Sequence, residues 1–169
     1  AYDGFVPELI GDHEMDAATL ATHIVDTYYN AASNNATLSS IDLTSMDDLN
    51  AAMTAFSNQL LAHPSLYGQV GTARDNTQAF YYSDYIDLQH FAENVAAISG
   101  APQPLVDAAN ALVAQLDVTI LHNRFQSSHP NARGLAVYFP TSSSELSDYQ
   151  AGVWSEHATW DEFLVDYLQ

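Results

Sequence analysis

Apolar residues recur at helical spacing in five stretches of this chain and at strand-like density in three others. Leu20, Ile24 and Tyr28 lie four residues apart, with Ala21 and Val25 beside them, which predicts a helix from Asp16 to Ala31. Met46, Leu49, Met53, Phe56 and Leu60 form the clearest apolar stripe. Ser45 and Asp48 have the spacing of an N-terminal cap for that helix, and His63-Pro64 ends it. Leu88, Phe91, Val95 and Ile98 predict a helix over Asp84 to Ser99, with Gly100 as its stop. Pro102 and Pro104 suit the opening of the next helix, whose core face is Leu105, Ala109, Leu112 and Leu116. Thr159 and Glu162 make a capping box ahead of Trp160, Phe163, Leu164, Tyr167 and Leu168.

The strand-like stretches are different in kind. After a polar turn from Asn30 to Asn35, the segment Thr37 to Leu43 predicts a short strand with Leu38 and Ile41 inward. Val118 to Phe125 alternates and opens with β-branched residues, so it predicts a second strand. Gly134 to Phe139 is apolar on both faces, which suits a central strand covered by helices, and Pro140 terminates it. Leu66 to Phe80 is ambiguous: Gly68 and Gly71 lower helix propensity, whereas Val70, Ala73 and Thr77 permit a helix. The alternation points to an α/β layer fold. With no repeat, low-complexity tract or dividing linker, residues 1–169 read as one unit.

Composition changes this picture mainly through charge. Asp and Glu total 21 and the only fixed cations are Arg74, Arg124 and Arg133, for a net charge of −18. Phosphates would be repelled, so nucleic acid is excluded as a partner, and anionic membranes are disfavoured. A dense acidic surface serves solubility, and it also attracts cations. No apolar run approaches the roughly 18 residues of a membrane span, and AYDGFVPELIGD lacks the pattern of a signal peptide. The absence of cysteine removes disulfides, thiolate metal sites and a cysteine nucleophile from these residues.

Other chemistry is thinly represented. The seven glycines never cluster as a phosphate loop, and the seven histidines are scattered. His157 with Asp161 and His90 with Glu93 have helical spacing, but zinc needs three or four converging ligands. Asp12-His13-Glu14-Met15-Asp16 offers oxygen ligands for calcium, against the simpler reading that Asp16 caps a helix. Ser39, Ser40, Ser127 and Ser128 have no nucleophile elbow around them, and His129 is a lone loop base. The run Tyr81-Tyr82-Ser83-Asp84-Tyr85 reads as packing at a helix start rather than a ligand platform. Asn35-Ala36-Thr37 matches a glycosylation tripeptide of a kind common by chance.

Five segments in order resemble the clostripain family of cysteine peptidases. They are AYDGFVPELI with DAATLATHIVDTYYN, then TLSSIDLTSMDDLNAAMTAFSNQL, then FYYSDYIDLQHFAENV with its Tyr85-Ile86-Asp87-Leu88 core, then ARGLAVYFP from Ala132 to Pro140, and finally TWDEFLVDYL. The resemblance implies part of a caspase-like α/β/α sandwich with additional C-terminal helices. It implies a secreted enzyme with a Cys/His dyad that cleaves proteins after arginine or lysine, self-processing into two chains, and calcium dependence in some members. The dyad is not in these residues, and no histidine here matches the family's catalytic position. The resemblance therefore makes this the C-terminal part, after the catalytic cysteine, with a partner chain or segment carrying Cys and His and no cofactor that the sequence itself requires. Asp3 is the candidate carboxylate for a basic substrate side chain, since guanidinium pairs bidentately with carboxylate. The alternatives are a catalytically inactive caspase-like module that binds basic peptides, and a solitary acidic domain. A scarcity of basic residues would also limit self-digestion.

Overall fold

The computed structural model describes residues 2–32, 35–152 and 156–169. The fold is mixed α/β and mostly helical, with two small antiparallel strand pairs. Helices α1 (Tyr2–Gly11) and α2 (Ala17–Ala31) lead into β1 (Thr37–Ile41). Then come α3 (Met46–Leu61), α4 (Tyr67–Asp75), β2 (Tyr85–Asp87), α5 (Leu88–Ala96) and α6 (Gln103–Thr119). The chain closes with β3 (Ile120–Phe125), β4 (Ala136–Tyr138), α7 (Leu146–Gln150) and α8 (Trp160–Tyr167).

The core is where the apolar stripes place it. Leu49, Met53, Phe56 and Leu60 of α3 and Leu105, Ala109, Leu112 and Leu116 of α6 are all buried. Helix α6 packs on both α3 and α5. Phe91, Phe139 and Trp160 meet edge to face, with centroids 5.4 and 5.5 Å apart on either side of Phe139. Such pairs each add about 0.5–1.5 kcal/mol beyond area burial. This core draws on α3 to α8 with β2 and β4, while Val25 of α2 is buried outside it. Residues of β1 are all half-buried, and Leu121 and Phe125 of β3 are exposed.

Several boundaries differ from the sequence reading. The helix expected over Asp84 to Ser99 begins only at Leu88, because Tyr85–Asp87 pairs antiparallel with β4. Asp87 then caps the helix, its carboxylate accepting from the His90 amide at 2.9 Å. The strand expected from Val118 starts at Ile120, since α6 runs through Thr119 and leaves Val118 exposed. The strand from Thr37 stops at Ile41, and Leu43 is exposed in a 3₁₀ turn. Gly134 to Phe139 is strand only at Ala136–Tyr138, and its one strand partner among the described residues is β2, so it is not central in a wide sheet.

Neither expected capping arrangement forms. The Thr159 hydroxyl turns away from its own helix to Asn58 Oδ1 of α3 at 3.2 Å. The Ser45 hydroxyl joins Asp42 O at 2.7 Å and Thr119 Oγ1 at 2.9 Å. Both hydroxyls are spent on tertiary links instead of helix ends. Asp16 does cap α2, accepting from the Thr19 amide at 2.7 Å. Helix α1 went unread because Gly4 and Pro7 interrupt its propensity. Gly4 is there for contact: a Cβ would stand 2.2 Å from Thr27 Cγ2 of α2.

Candidate functional site

The two strand pairs meet at a cleft of about 360 Å³. Leu38 and Ser39 of β1, Asn123 of β3, Phe80, Ala132, and Ala136 of β4 line it. Polar side chains stitch its base. The Ser39 hydroxyl donates to the Gly134 carbonyl, and Asn123 Nδ2 donates to Ala132 O at 2.8 Å. Gly134 has φ +130, a conformation closed to other residues at low strain, and a Cβ there would meet Ile120 at 2.9 Å.

Asp87 positions the wall that Ala132 and Gly134 belong to. It is fully buried, and its carboxylate accepts from the amides of His90 and Arg133, the latter at 2.6 Å. Burial pushes its carboxyl up, while amide bonds from His90, Arg133 and Gly134 pull it back down. Gln78 extends this network, donating its amide to His90 Nδ1 at 3.0 Å and accepting from the Asn131 amide at 3.3 Å. Asp87 is therefore the means by which the Tyr-x-Asp-Leu segment fixes a loop some 46 residues away. Sequence reasoning noted this aspartate but placed it inside a helix. The signal was a lone acid directly ahead of an apolar helical stripe.

Asp26 of α2 carries a second cluster. His122 Nε2 lies 2.9 Å and Arg124 Nε 3.1 Å from the same Asp26 oxygen. The bond from His122 chiefly holds the Asp26 carboxyl below the usual range. Arg124 also stacks over Tyr29, 4.4 Å from its ring centroid. These groups are half-exposed, which limits what each pair contributes.

The remaining candidates fall elsewhere. Asp3 is exposed in the first turn of α1 and is not among the residues lining the cleft. Asp12 accepts from the Glu14 amide at 3.1 Å and Asp16 is the α2 cap, so these acids serve a turn and a helix start. Among the described residues no three His, Cys, Asp or Glu side chains converge to hold a metal. Ser128 Oγ and His129 Nδ1 are 2.9 Å apart, but they are sequence neighbours at an exposed turn, not an oriented nucleophile–base pair. His129 stacks on Phe80, with centroids 5.7 Å apart. Tyr81 and Tyr82 are exposed at 91 % and 68 %, which overturns the expectation that this run packs at a helix start. The backbone bond from the Phe80 amide to Tyr85 O closes the turn that presents them. Among the described residues no helix is long and apolar enough to cross a membrane. Compared with family models, curated proteins and solved structures, the chain matches none.

Proposed function

We propose that this chain is the part of a secreted, clostripain-like cysteine endopeptidase that lacks the nucleophile. In this reading it forms one side of a caspase-like sandwich and seats a polypeptide segment carrying the catalytic cysteine and histidine. The observation that carries it is the cleft. Among the described residues β1 pairs only with β3 and β4 only with β2, and the cleft lies where these pairs meet. A strand laid there would join two short pairs into one sheet, since strand edges are templates for pairing. The exposed apolar residues Leu121 and Phe125 of β3 are further surface for such a partner to cover. The thiolate would come from that partner, because only a thiolate attacks in this chemistry and the chain has no cysteine. Asp3 remains the proposed carboxylate for a basic substrate side chain, brought to the cleft only in the assembled enzyme.

Co-expression with the cysteine-bearing segment tests the reading. Intact mass should show two chains travelling together, and the pair should cleave peptides after arginine or lysine. Replacing the partner's cysteine by alanine should abolish cleavage without separating the chains. A gene that begins at Ala1, with nothing copurifying, would overturn the peptidase reading. The net charge of −18 favours a second reading, a module that binds basic peptides without cutting them.

A further inference from the structure

We propose that α1 and α2 form a strap that closes on the β1–β3 pair, and so completes one wall of the cleft, only when salt screens the charge of the chain. Apolar contact seats the strap weakly. The principal neighbours of α2 are α1, β1 and β3, and none of its residues joins the main core. Val25 is the one buried residue of α2, and Val6 and Ile10 of α1 are exposed. The close fit of Gly4 against Thr27 ties α1 to α2 and not to the rest of the fold. The polar ties run through Asp26, to His122 at 2.9 Å and Arg124 at 3.1 Å, and through Gln126, whose Nε2 donates to Tyr29 O and Ala32 O at 3.3 Å. Segments with so little buried apolar contact open before the whole domain unfolds.

Charge decides where the strap stands. Asp3, Glu8, Asp12, Glu14, Asp16 and Asp26 all fall within residues 2–32, which hold no lysine or arginine. The remaining acids also outnumber the three arginines of the chain, so strap and body are both anionic. Their repulsion is the sum of many separated pairs, whereas the attraction at Asp26 is made at contact. The screening length falls from about 30 Å at 0.01 M salt to about 3 Å at 1 M. In dilute buffer the carboxylates of the strap therefore feel those of the body, and in strong salt only contact pairs keep their energy. Salt thus removes more repulsion than attraction. Closure matters to the cleft because a lone pair of short strands is marginal in water, and α2 packs on both β1 and β3. Leu38 and Ser39 of β1 and Asn123 of β3 line the cleft, so releasing the strap loosens that wall. The inference holds whatever occupies the cleft and needs no cysteine-bearing partner.

Hydrogen exchange of the full chain, read by mass spectrometry in potassium chloride from about 0.05 M to about 2 M, tests it. Amides of α2 should exchange at least about tenfold more slowly at the top of that range than at the bottom, with β1 and β3 following them, while α3 and α6 stay protected throughout. Glu8→Gln combined with Glu14→Gln removes two exposed charges from the strap and should close it at lower salt. Equal protection of α2 across the range would overturn the proposal. So would loss of α3 and α6 together with α2 in dilute buffer, which is unfolding of the whole domain and not release of a strap. A double variant with the salt response of the wild type would do the same, since salt would then act through apolar burial and not through charge. None of these readouts depends on whether a cysteine-bearing segment restores cleavage.

Discussion

At the residue scale, Asp87 does the most for the least sequence. Its carboxylate is the N-cap of α5, accepting from His90, and the anchor of the loop amide of Arg133. The Asp87 end of both bonds is out of solvent, where an unmade bond costs more than at the surface. Asp87→Ala removes the acceptor and strands those amides, so it should cost about 1–3 kcal/mol in a urea melt. Asp87→Asn keeps the size and one carbonyl oxygen, and should recover part of that loss. Because burial raises this carboxyl, ionised Asp87 is less well tolerated folded than unfolded. Its linkage contribution is thus fully present below the ordinary carboxylate value of 3.8 and lost as pH rises through the raised one. Equal stability of wild type and Asp87→Ala would show that the loop holds itself.

At the element scale, the chain divides into a core that was legible and an outer layer that was only partly so. Helices α3 and α6 were readable because a buried stripe repeats at helical period and little else can satisfy it. Helix α5 was readable in its face but not its start, since Tyr85 to Asp87 has no local signal separating a first helical turn from a strand. Only pairing with β4, some 50 residues on, decides it. The capping hydroxyls of Ser45 and Thr159 failed for the same reason, being recruited by Thr119 and Asn58. The cleft was not legible at all, because it arises from two strand pairs whose register no local pattern records. The outer layer hangs on polar links such as that between Asp26 of α2 and His122 and Arg124 of β3. Asp26 has a lowered carboxyl, so its contribution is present above 3.8 and is lost as pH falls through the lowered value. Amides of α2 should therefore lose hydrogen-exchange protection in acid before those of α6, and Asp26→Asn should remove that difference. Simultaneous loss in both helices would mean that this cluster does not tie α2 down.

At the scale of the whole molecule, the scarcity of basic residues becomes a statement about proteolysis. An arginine-directed protease has three sites here, and the fold occupies each of them. Arg74 has a side chain only 12 % exposed, with its guanidinium bonded to the carbonyls of Phe139 and Ser83 at 3.0 and 2.9 Å. Arg124 lies within β3, opposite Leu38 in the register, with its charge over Tyr29. Arg133 is the most accessible in position, in the loop between β3 and β4, yet its amide is held by Asp87 at 2.6 Å. Cleavage needs the backbone around the site to open, so its rate follows the population of opened states. The folded chain should therefore resist trypsin, with cleavage rising through the urea transition in step with unfolding. The earliest product should be the cut after Arg133, whose release requires only the loop and not a helix or strand to open. Asp87→Ala should speed that cut by more than the other two, whose rates should rise only as far as the variant's lower stability in urea accounts for. Rapid cutting after Arg74 or Arg124 in the absence of urea, read from fragment masses, would show that those clasps do not close the sites.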